Sequence, residues 1–71
     1  MKSELPEWTR QAIYICLQEL QNEGYELREM HVDDLTDFVY GEKPSHMTQK
    51  QFEKDIEPLV KEEGRRHGLQ I

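Results

Sequence analysis

MTQKQFEKDIEPLV, residues 47–60, carries three helix signals at once and decides how the rest of the chain is read. Thr48 stands three residues before Gln51, the spacing at which a hydroxyl caps the helix and a side-chain amide reaches back to the cap. Met47 and Phe52 occupy the positions of a hydrophobic staple around that cap. Phe52, Ile56, Leu59 and Val60 then follow at i, i+4, i+7 and i+8, which gathers them on one helical face. An isolated amphipathic helix of this length is marginal in water, so the remaining segments must supply the surface it packs on.

Towards the carboxyl end the one defect is Pro58, which removes an amide and crowds the carbonyl of Lys54. Because Leu59 and Val60 keep the apolar phase, a kinked helix is expected rather than a break. Gly64 is expected to stop it near Glu63. The tail GRRHGLQI places Leu69 and Ile71 on one side, as an extended edge laid against the body would.

Towards the amino end, a first helix is expected from Ser3 or Pro6 to about Asn22, with Ser3 as cap, Pro6 in the first turn, and Glu4 and Glu7 at the positive end of the dipole. Trp8, Ala12, Ile13, Cys16, Leu17 and Leu20 form a broad apolar face that Ile15 widens, enough for two neighbours. Gly24 should close this helix in a left-handed conformation, bringing Tyr25 against Leu20. Residues 25–32, YELREMHV, have no helical face and read as an extended connector with room for one short strand. Asp33 or Asp34 is expected to cap a second helix with Leu35, Phe38 and Val39 inside and Gly41 at its end. GEKPSH, with Pro44, is a solvent-facing loop.

Seventy-one residues make one domain, residues 1–71, and a chain this short leaves little room for a pocket with its supporting shell. Fifteen acidic against nine basic residues give a formal charge of -6, which opposes indiscriminate binding to phosphate backbones. A single cysteine, Cys16, can form no internal disulfide and suits a reducing compartment. MKSELPEW has no apolar stretch after its lysine, so no signal peptide is expected, and no apolar run approaches the ~20 residues of a membrane span. The location expected is cytoplasmic.

The residue types of catalysis do not assemble into any known spacing. His31, His46, His67 and Cys16 form no CxxC, HxxxH or HExxH, so no metal site is expected, and Asp33, Asp34 and Asp37 lack the alternation and glycine of a calcium loop. No phosphate loop or nucleophile elbow occurs, so neither cofactor nor enzymatic activity is expected. Cys16 lies inside an apolar face and reads as a small hydrophobe. Glu53, Asp55, Glu57, Glu62 and Glu63 interleave with Lys50, Lys54, Lys61, Arg65 and Arg66 at helical spacings, as on a solvated, self-paired face.

The order helix, short extended stretch, helix, loop, longer helix and strand-like tail, with HVDDLTDFVYG followed by FEKDIEPLVKEEG, resembles the winged helix-turn-helix family. That resemblance implies a third helix in the major groove, with Gln49, Lys50 and Lys54 near bases and Arg65 and Arg66 on phosphates. Pro58 within the would-be recognition helix and a tail too short for two wing strands depart from the pattern. The reading taken from the residues is a mostly α, compact three-helix domain with a short extended connector and tail, winged-helix-like in its order of elements. The expected role is a small intracellular protein–protein interaction or regulatory module that docks through Trp8, Tyr14 and Ile15 onto a protein partner or a second copy as a homodimer. The alternatives are a divergent winged-helix DNA-binding domain and an acidic DNA-mimic inhibitor.

Overall fold

Thr48 and Gln51 satisfy each other at the start of the third helix: the Gln51 amide donates to Thr48 Oγ1 at 3.1 Å and the Thr48 amide donates to Gln51 Oε1 at 3.1 Å. Behind this cap Phe52 is buried to 1% exposure, and Met47 packs against the same core, as a staple requires. A computed structural model describes residues 5–71, so the expected cap at Ser3 and the charge of Glu4 lie outside the described residues. Among these, three helices account for the regular structure: α1 (Glu7–Asn22), α2 (Val32–Gly41), and α3 (49–66), which runs without a break through Gln49–Gln51, Phe52–Ile56 and Glu57–Arg66.

Pro58 neither ends α3 nor stands in a regular α-helix. The segment Phe52–Ile56 just before it is a π-helical turn, in which the Glu57 amide donates to the Phe52 carbonyl five residues back. Widening the turn absorbs one extra residue at the place where a proline would otherwise crowd the preceding turn. It also resets the phase. Four-residue steps drift by ~40° each in an α-helix, yet Phe52, Ile56, Val60 and Gly64 are all buried in line, while Leu59, expected on the inner face, is only half-buried.

The expected stop at Gly64 is overturned. The helix continues to Arg66, and Gly68, at φ +95°, is the left-handed residue that ends it. The Gly68 amide donates to Arg65 and the Leu69 amide to Gly64, which are the two bonds of a Schellman closure. Gly64 is instead a packing position: a Cβ there would lie 2.9 Å from Val32 Cγ1 and 3.3 Å from Leu35 Cδ2. The same closure ends α1, where Gly24 has φ +92° and the Tyr25 amide donates to the Leu20 carbonyl at 3.0 Å.

α1 begins one residue later than its proline suggested, with Pro6 just outside the helix as the flanking residue and its carbonyl accepting from Thr9 and Arg10. The connector is no strand; Leu27–Glu29 make one 3₁₀ turn, held by the Glu26 amide donating to Glu29 Oε1. Neither Asp33 nor Asp34 caps α2. His31 does, its Nδ1 accepting from the Asp33 amide at 3.1 Å, because the helix must start at Val32 to bury that side chain. The two aspartates then sit in the first turn, where the dipole favours them. α2 ends at Gly41, as its sequence implies.

α2 is the central element, packing on both α1 and α3. Val32 meets the Gly64 end of α3, and Tyr40 meets Phe52 edge-on at 5.1 Å between ring centres, so α2 and α3 run antiparallel around the loop 42–48. Ala12, Ile13, Cys16 and Leu17 from α1 complete one core with Leu35, Val39, Phe52, Ile56, Val60 and Leu69. The radius of gyration, 11.8 Å, is close to the ~11 Å expected of a compact chain this long. The tail joins the body through a single parallel bridge between His31 and Gln70, with the Val32 amide donating to Gln70 and the Gln70 amide to Met30. Leu69 is buried but Ile71 is 74% exposed, so only one residue of the expected two-residue edge is anchored on the body. No β-strand forms among the described residues.

Candidate interaction surface

The core face of α1 is set by Thr9, Ala12, Ile13, Cys16 and Leu17, all buried. Opposite to it, at 3.6 residues per turn, Gln11, Tyr14, Ile15, Gln18 and Asn22 fall within ~100° of arc, and all five are exposed. Tyr14 keeps 64% of its surface open and Ile15 45%. From Gln11 to Gln18 the helix carries no charged residue, although a third of the chain is charged. The solvated side of a helix is where charge is normally placed, as α3 illustrates with Lys50, Glu53, Lys54, Asp55, Glu62 and Arg65, all exposed.

Tyr14 and Ile15 share a shallow depression with Arg10 and Gln11. Trp8 does not line it; that ring is half-buried and packs against the core, so of the expected trio two residues are exposed and one is partly buried. On its other side Tyr14 borders a groove of about 330 Å³, floored by Leu5, Ile13, Leu17 and Leu27 and closed by the last turn of α3 at Glu63 and His67. Tyr14 is held in place by Gln18, whose Nε2 donates to its hydroxyl at 3.2 Å. The sequence already held the amides of this stripe, but read by the presence of apolar groups alone they go unnoticed; the signal is the absence of charge at helical spacing. Leu5 and Leu27 lie outside the long helices, where no periodicity points to them.

The residues of the nucleic-acid alternative are all exposed on α3, and carboxylates engage two of them. Gln49 donates to Glu53 at 2.9 Å, and Arg66 lies 3.4 Å from Glu62 and 3.8 Å from Glu63. Lys50, Lys54 and Arg65 are exposed among acidic neighbours. A second groove, between α2 and α3, is lined by Asp33, Asp37, Glu53 and Glu57 around Tyr40 and Phe52. Lys61 bridges its edge, 3.0 Å from Glu57 and 3.6 Å from Asp33, and the hydrogen bond to Glu57 holds its ammonium above the usual lysine range.

Cys16 is buried in the core, and desolvation, with Glu19 and Asp34 adding to it, pushes its thiol up and away from the reactive thiolate. Among the described residues no three His, Cys, Asp or Glu side chains converge as metal ligands. No helix among them is long and apolar enough to cross a membrane. No protein family, curated protein or solved structure matches the chain.

Proposed function

We propose that the chain is a small, non-catalytic module that binds another protein through the outer face of α1. The observation that carries this reading is the uncharged stripe from Gln11 to Asn22 with Tyr14 and Ile15 exposed at its centre. Interface centres are depleted of charge and enriched in tyrosine, and a helix that merely faced water in so charged a chain would carry the charges that α3 carries. A cytoplasmic setting accords with a single unpaired thiol.

A divergent winged-helix DNA-binding domain ranks second, resting on Lys50 and Lys54 one helical turn apart on exposed α3. Acidic neighbours and the net charge weigh against it, and duplex affinity is expected to be undetectable even at low salt, where phosphate contacts are strongest. An acidic DNA mimic would use the groove lined by Asp33, Asp37, Glu53 and Glu57.

Site-specific photo-crosslinking in the native host separates these readings. A photoreactive residue at Ile15 is expected to give a discrete protein adduct, and one at Lys54 none. Adducts from position 54 alone, or nucleic-acid adducts there, would discard the α1 reading.

A further inference from the structure

The stripe on α1 is symmetric in its chemistry. Counting outward from the midpoint between Tyr14 and Ile15, Gln11 balances Gln18, and Glu7 balances Asn22. A two-fold axis through that midpoint, with two α1 helices antiparallel, sets each Tyr14 on Ile15 of the other copy. It also sets each Gln11 against the other's Gln18, and each Glu7 against the other's Asn22. Primary amides donate and accept at once, so a glutamine satisfies a glutamine, and the Asn22 amide has a proton to offer the Glu7 carboxylate. Such a pattern complements itself, as a two-fold interface requires.

We infer that the partner docking on the outer face of α1 is a second copy of this chain, in an antiparallel α1–α1 pair centred between Tyr14 and Ile15. This rests on the protein-binding reading above and names its occupant. Charge selects that occupant. Each copy bears a formal -6, so two copies repel across most orientations. At the stripe they meet through amides and apolar groups, the only carboxylate being Glu7, which already accepts from Gln11 Nε2 at 3.2 Å and has Arg10 at 3.8 Å; the second amide proton and the oxygen of Gln11 remain for the other copy. A basic partner would gain little from a stripe whose single carboxylate, Glu7, already has Arg10 beside it, and would be drawn instead to the acidic groove between α2 and α3. Antiparallel helices also oppose their dipoles favourably.

The pair is expected to be weak. An α1 of ~24 Å with two exposed apolar side chains at its centre is short of the ~800 Å² per partner of a standard interface, which puts the pair in the size class of transient contacts.

Sedimentation equilibrium of the full chain from micromolar to millimolar concentration tests the inference. The parent is expected to pass from monomer to dimer across that range. Gln11→Glu/Gln18→Glu, which sets carboxylate against carboxylate across the axis, should abolish dimer, and Gln11→Lys/Gln18→Glu should restore or tighten it by forming two intermolecular ion pairs. All three substitutions are to good helix formers at exposed positions, so folding is preserved and is checked by circular dichroism. A parent that stays monomeric at millimolar concentration overturns the inference, as does a dimer indifferent to both charge patterns. Position-15 photo-adducts to a different protein from a monomeric parent would leave the binding reading standing without the second copy; no adduct at all would remove both.

Discussion

Gly64 and Gly41 are both helical glycines, and the space around them predicts opposite responses to alanine. At Gly64 a Cβ would lie 2.9 Å from Val32 Cγ1, whose side chain is itself only 3% exposed and β-branched, so it has little freedom to yield. Overpacking of this kind costs ~1–3 kcal/mol, against ~1 kcal/mol gained from alanine's helix propensity. Gly64→Ala is therefore expected to destabilise by about 1 kcal/mol, and Gly41→Ala, with nothing within 4 Å, to stabilise by a few tenths to ~1 kcal/mol; chemical denaturation of both variants decides it. Reading Gly64 as a stop was reasonable locally, since a glycine after KEE resembles a helix end. What contradicts that reading is Val32 and Leu35, some thirty positions upstream, which no local pattern reveals. Thr9 shows the same limit from the other side: it is fully buried with its hydroxyl unpartnered among the described residues, at a position that spacing alone assigns simply to the core face.

At the scale of elements, the start of α3 was fully legible, because capping box and staple are fixed by residues within five positions of one another. The π turn was not. Proline announces a disturbance, but whether the helix kinks, breaks or widens depends on which later residues must face α2. The start of α3 makes a graded test. Phe52→Ala removes a side chain 1% exposed that also packs edge-on against Tyr40. Such truncations cost ~3–5 kcal/mol, a large part of the total stability of a small domain, ~5–15 kcal/mol. That variant is expected to be largely unfolded at body temperature, while Thr48→Ala, losing one cap hydrogen bond worth ~1 kcal/mol, stays folded with a lowered melting temperature. Thermal melts followed by circular dichroism would refute the ranking if Thr48→Ala proved the worse. α2 shows a subtler miss: aspartate outranks histidine as a cap by preference, but burial of Val32 fixes the helix start and leaves His31 at the capping position.

For the whole molecule, the three helices, their order and most of the core were legible, since hydrophobic periodicity carries them. The way the tail attaches was not, because alternation over a few residues fits an edge strand and a frayed end equally well. The structure resolves it residue by residue, and two substitutions in the tail show the difference. Leu69→Ala is expected to cost ~2–5 kcal/mol, and Ile71→Ala, 74% exposed, to stay within ~0.5 kcal/mol of the parent by the same denaturation measurement. The candidate surface was half legible: Tyr14 and Ile15 announce themselves, whereas the amides that flank them do not. The bridge at Gln70 has a further consequence, for the order in which the chain acquires its structure. Its side chain reaches the Arg28 carbonyl across 42 residues, while α2 and α3 meet through a loop of a few. Closing a long loop before any other contact holds it is entropically expensive. The α2–α3 hairpin is therefore expected to form first and the latch between residues 28–32 and 70 to fasten late and open early, which native-state hydrogen exchange checks: the Val32 and Gln70 amides, bonded across the latch, should exchange faster than amides in the middle of α3.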